Sequence, residues 1–193
     1  MRFRDRFRTP LLNPTEDQSL EREPLLAYSF YLNGRVHALM HIASEIEEAL
    51  DLGFGSTLVH GGLVGRADTL MWLWILGAYE VMRTMCQSPG CFSEQALTRF
   101  KSMKKSLAVV RMPAAKMEPQ GKNQAVSSDR SPSGWSVDRK DLLVNAPDEP
   151  NVYARDLIEQ FERVVSDLKR NDVIKSHESS YPTRVAGGTR GAA

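Results

Sequence analysis

The sequence predicts an all-α fold, a four-helix bundle with a loop and a small β-hairpin inserted before the last helix. Three observations carry this prediction. Apolar residues recur at spacings of three and four in four separate stretches. The second stretch contains TLMWLWILGAY, Thr69 to Tyr79, which has no charge and two of the three tryptophans. Proline- and glycine-bearing segments separate the stretches.

The chain has 193 residues, enough for one domain with a substantial core. It is 41% hydrophobic and 25% charged, ordinary values for a globular protein. Its 25 basic and 24 acidic residues give a net charge of +1, so whole-chain electrostatics favour no class of partner. The apolar run lies between Asp68 and Glu80, well short of the roughly 20 residues a membrane span needs. MRFRDRFRTPLL is basic but no apolar segment follows it, unlike a secretory signal. The expectation is a cytoplasmic protein without a membrane contact.

Residues 1 to 23 read as a flexible basic arm. Pro10, Pro14 and Pro24 interrupt any helix, and Arg2, Arg4, Arg6 and Arg8 stand among Phe3 and Phe7. The bundle is expected over residues 24 to 170. Its first helix spans about Leu25 to Leu50, with Leu32, Val36, Leu39, Ala43, Ile46 and Leu50 as its seam. Gly34 lies within that pattern and marks a second candidate start near Arg35. The next helix, about Val64 to Gln87, carries Met71, Trp74, Ala78, Val81 and Met85 on one seam. Trp72, Leu76 and Tyr79 make a second apolar face, which needs a cover from this chain or from another protein.

The third helix opens with Ser93 as N-cap, Glu94 in its first turn and Phe92 placed to staple onto Leu97. Leu97, Phe100, Leu107 and Val110 form its inner stripe, and Pro113 is expected to stop it. Residues 113 to 150 form the insertion, with Trp135 to Val137 and Leu142 to Val144 as candidate hairpin strands around DRKD. The last helix, about Asn151 to Arg170, has Ala154, Leu157, Phe161, Val164 and Leu168 as its seam. Residues 171 to 193 show no apolar period and are expected to be disordered.

Four features suggest chemistry. His37, His41, Glu45 and Glu48 occupy one stripe of the first helix, but that stripe lies opposite its apolar seam. Bundle metal sites project inward, so the stripe reads as a solvated polar face, and no metal or other cofactor is expected. Cys86 and Cys91 in CQSPGC lack the spacing of a redox pair or zinc site and read as free thiols, with a local disulfide as the alternative. His60 is a lone loop histidine.

The third feature is a basic helix face with its loop: Arg99, Lys101, Lys104, Lys105, Arg111, Lys116 and Lys122. From Arg99 to Lys122 these face a single acid, Glu118. Such a stripe suits either nucleic-acid phosphates or charge pairing with the acids of the first helix.

Fourth, Arg35-Val-His-Ala-Leu-Met-His41 resembles the arginine–histidine element of HEPN-like helical domains. Several members of that family are metal-independent ribonucleases acting as dimers. The resemblance implies phosphate held by Arg35 and acid–base catalysis by His41, in a cleft shared by two subunits. On a regular helix the two residues diverge by about 120°.

The leading expectation is a non-enzymatic interaction or scaffold module that self-associates or binds a protein partner through Trp72, Leu76 and Tyr79. The alternative is a HEPN-like ribonuclease or nucleic-acid-binding domain using Arg35, His41 and the basic face.

Overall fold

The computed structural model describes Arg4 and residues 11–116, 133–144 and 151–177. The fold is all-α with one small hairpin. Its elements are α1 (Glu16–Arg22), α2 (Phe30–Gly53), α3 (Gly61–Gln87), α4 (Glu94–Lys116), β1 (Gly134–Ser136), β2 (Asp141–Leu143) and α5 (Ala154–Ser166).

Helix α3 is the middle of a three-helix layer. It packs along α2 on one side and α4 on the other, each running antiparallel to it. Every residue of its expected seam is buried, along with Val64, Ala67, Ile75 and Met82. Trp74 is the largest fully buried side chain; its indole N–H donates to the Leu39 carbonyl at 3.1 Å, and its ring meets Phe161 edge-on at 5.3 Å. That contact seats α5 over the layer, where Leu157, Ile158, Phe161 and Val165 close the core. The layer is thereby covered on one side.

Local sequence explains the boundaries. Ser29 caps α2 by accepting from the Leu32 amide, so the helix starts at Phe30 and passes straight through Gly34. The residues before it, Pro24–Ala27, form a tighter 3₁₀ turn. His60 caps α3, its ring Nδ1 accepting from the Leu63 amide at 3.3 Å. Ser93 Oγ accepts from Ala96 at the start of α4, as expected. Pro113 does not stop that helix, which runs on to Lys116. Pro113 removes one amide donor from the helix ladder, and the residues after it keep their helical conformation.

The hairpin forms, shifted from the expected strands: Gly134 pairs with Leu143, Trp135 with Leu142 and Ser136 with Asp141. Lys140 takes the left-handed conformation, φ 52°, that closes the turn. Asp141 is buried, and its carboxylate accepts from the Leu142 amide at 2.8 Å and the Arg155 amide at 3.3 Å. It thus supplies the first turn of α5 with the acceptor that Tyr153 at the N-cap lacks. Burial pushes the Asp141 carboxyl up, against the pull of those two amides and of Arg155.

Described residues on either side of the bundle also make defined contacts. The arm contains α1, with a capping box between Thr15 and Gln18, set between Pro14 and Pro24. Arg4 bridges Glu47 of α2 and Glu162 of α5. The other expected arm residues, Arg2, Phe3, Arg6, Phe7 and Arg8, lie outside the described residues. At the far end α5 stops at Ser166, but the chain stays packed through His177. Val173 bridges Phe92, the Ile174 amide donates to the Cys91 carbonyl at 2.8 Å, and the His177 amide donates to the Tyr28 carbonyl at 2.8 Å. Residues 178–193 and most of the expected loop, 117–132 with Lys122, lie outside the described residues.

Candidate functional site

The side of the layer opposite α5 carries the most distinctive surface. Between α2 and α3 runs a groove of about 390 Å³, open to solvent and walled mainly by apolar atoms. Tyr31, Ala38 and Ile42 line it from α2, and Leu73 and Gly77 from α3. A Cβ on Gly77 would stand 2.9 Å from Leu39 Cδ2, so its missing side chain sets how closely the two helices approach there. Arg35 and Glu80 form the polar rim.

The three residues expected as an interface sit beside this groove and are partly covered by their own chain. The Trp72 indole N–H donates 2.8 Å to the Ala114 carbonyl of α4. The Arg111 guanidinium stacks on the Tyr79 ring at 4.6 Å. Leu76 is half-buried. Trp72 and Leu73 each remain 48% exposed, and Tyr31 is exposed as well. Sequence reasoning missed Leu73, Tyr31 and Ala38, which fall outside every regular seam. Its available signal was Gly77, a glycine in mid-helix with a large residue opposite.

Arg35 and His41 do not share a site within one chain. Arg35 lies over the Tyr31 ring at 4.7 Å, with Nε 2.8 Å from its hydroxyl. His41, with its side chain 80% exposed, lies on another flank, 3.5 Å from Glu45, which also takes an ion pair from Arg66 at 2.9 Å. Any composite use of the pair requires a second copy.

The stripe expected as a solvated polar face divides in the same way. His37 Nε2 lies 2.8 Å from Glu23 Oε2, and the amide of the buried Asn33 donates to the same carboxylate at 2.7 Å. This half-buried cluster ties the turn before α2 onto the helix, and His37 is accordingly not a solvated residue. Among the described residues no group of three or more histidine, cysteine or acidic side chains is placed to hold a metal. Both cysteines are free thiols. Burial pushes the Cys86 thiol up, against the opposing charges of Lys104 and Lys101.

The basic residues of α4 split between two surfaces. Arg99 faces the loop after α5, donating to the Asp167 carbonyl and to Asp172 Oδ2, each at 3.1 Å. It lines a polar cleft of about 640 Å³ that also holds Glu21, Lys169 and Arg170. Asp172 is held below its ordinary value. Its burial works the other way, but the bonds from Ser93, the Lys169 amide and Arg99 outweigh it. Lys101 and Lys105 are exposed and Lys104 is half-buried, while Arg111 also approaches Glu80 at 3.9 Å. Lys101 and Lys104 are close enough to Cys86 of α3 to act on its thiol.

Comparison with models of protein families, with curated proteins and with solved structures finds no match for this chain. No helix among the described residues is long and apolar enough to cross a membrane.

Proposed function

We propose that this chain is a helical interaction module whose contact surface is the open side of the α2–α3–α4 layer. Its partner there is a second copy or a different protein. The observation that supports this is the exposure of Trp72 and Leu73 beside an apolar groove, on the one broad side of the layer that α5 does not cover. Two half-exposed large apolar side chains next to further apolar surface mark a contact site more than a solvated helix face does. Arg35, on the rim, takes a place in recognition rather than in a single-chain catalytic pair.

Photo-cross-linking tests the reading. A photoreactive residue at position 73 is compared with one at position 159, on the exposed outer side of α5. The expected result is a covalent adduct with a discrete polypeptide, this chain or another, from position 73 alone. Equal labelling from both positions, or none from position 73, contradicts the reading.

A further inference from the structure

Beyond α5 the chain turns back across the loop between α3 and α4. The Ser93 amide donates to the Asp172 carbonyl at 2.9 Å, Val173 bridges Phe92, and the Ile174 amide donates to the Cys91 carbonyl at 2.8 Å. These contacts are the rungs of a short antiparallel ladder. Two residues further, the Cys91 thiol donates to the Ser176 carbonyl at 3.6 Å. His177 then reaches the turn before α2, with its amide on the Tyr28 carbonyl and its ring edge-on to the Tyr28 ring at 5.3 Å. Tyr28, Cys91 and Phe92, the residues beneath, are each 2% exposed or less.

The two ends of this segment are held differently. Asp172 is buried, and its carboxylate accepts from the Ser93 hydroxyl, the Lys169 amide and Arg99 Nη2. Past it, Val173 enters the core, but Ile174, Lys175 and Ser176 are exposed and His177 is half-buried. Fixing a backbone costs conformational entropy whether or not its side chains are buried, and residues 174–177 offset that cost with little apolar burial. Segments held by surface backbone bonds open at a free energy well below that of the whole fold. What lies underneath has supports of its own: the Tyr28 hydroxyl donates to Ser88 Oγ at 3.0 Å, and Phe92 packs on both Tyr28 and Phe100.

We infer that residues 173–177 are a strap hinged at Asp172, which lifts from the loop between α3 and α4 and uncovers Tyr28, Cys91 and Phe92 while the helices stay folded. The strap controls whether the Cys91 thiol meets solvent. Its movement does not depend on a contact at the open side of the layer.

Alkylation of Cys91 by iodoacetamide, in the full chain carrying Cys86→Ser, reads the opening, because a buried thiol reacts only once it is uncovered. Below the unfolding transition the rate is expected to be nearly flat in urea, whereas exposure by global unfolding rises steeply with urea. Ile158→Ala, in the core at α5, should lower the melting temperature and leave the rate within about twofold. Val173→Ala should raise the rate about tenfold, and His177→Ala about threefold. A rate that is steep in urea and raised by Ile158→Ala overturns the inference, as does an absence of alkylation before the chain unfolds. A rate flat in urea but unchanged by Val173→Ala and His177→Ala also overturns it, since the Pro89–Cys91 turn would then open without the strap. Should Val173→Ala fail to fold, His177→Ala and the urea profile of the parent chain decide.

Discussion

Replacing Arg4 by alanine should destabilise the fold by about 2–4 kcal/mol, because one side chain holds two carboxylates from distant helices. Glu162 on α5 is 4% exposed, and Arg4 gives it a backbone amide at 3.2 Å, Nε at 3.1 Å and Nη2 at 2.8 Å. Glu47 on α2 takes the other edge of the guanidinium through Nη1 and Nη2. Breaking a fully buried pair costs about 3–5 kcal/mol; here Glu47 retains some access to water, which lowers the figure. Burial alone would release the Arg4 proton more easily, but the two carboxylates outweigh it and hold the proton more tightly than in a free arginine. A raised value stabilises the fold at every pH below the unfolded one, so the titration of Arg4 itself adds no slope between about pH 5 and 9.

Chemical denaturation followed by circular dichroism measures the deficit, which corresponds to a fall of about 6–12 °C in melting temperature. Glu162→Gln in the Arg4→Ala background should recover part of it, since the unpaired charge is then gone. A deficit under about 0.5 kcal/mol would refute the assignment of Arg4 as the tie between α2 and α5.

Two further substitutions probe other parts of the fold. Asp172→Asn should cost about 1–3 kcal/mol at neutral pH by weakening the contacts of Ser93 and Arg99. Because the folded value of Asp172 lies below the unfolded value of 3.8, its contribution is present above that pH and is lost as pH falls through the folded value. Denaturation across the acid range should therefore show wild type and variant converging. Gly34→Ala should raise stability by about 0.5–1 kcal/mol, because Gly34 is inside α2 and an added Cβ meets nothing within 4 Å. A thermal melt checks it, and a loss of stability would mean that the surface at Gly34 is occupied.

The core was legible because it is made by periodic neighbours. The seams from Leu32 to Leu50 and from Met71 to Met85 are buried throughout, whereas in the last helix Val165 is buried and the expected Val164 only partly so. The places of Arg4, Val173 and His177 were not, because what holds them lies far away in sequence. Glu162 reads as a polar residue beside a seam until Arg4, 158 positions earlier, appears against it. Val173 and His177 belong to no helix and are fixed by Phe92, Cys91 and Tyr28. In α1 the capping box was visible in the sequence, but none of its residues is buried, so no apolar period announced it.

The same limit applies to the site. Trp72 stood out by composition, yet its contact with Ala114 depends on α4 continuing past Pro113. Leu73 and Ala38 became recognisable only when α2 and α3 were set side by side at Gly77.

Hydroxyl-radical footprinting of the purified chain, at a concentration where light scattering gives the mass of one copy, tests most directly whether this side of the layer is open. Tyr31, Trp72 and Leu73 should be oxidised at least about tenfold faster than Trp74 and Phe161, in proportion to their access to solvent. Protection of Trp72 and Leu73 to the level of Trp74 in the isolated single chain would mean that the chain closes its own face, and the proposed contact surface would not exist.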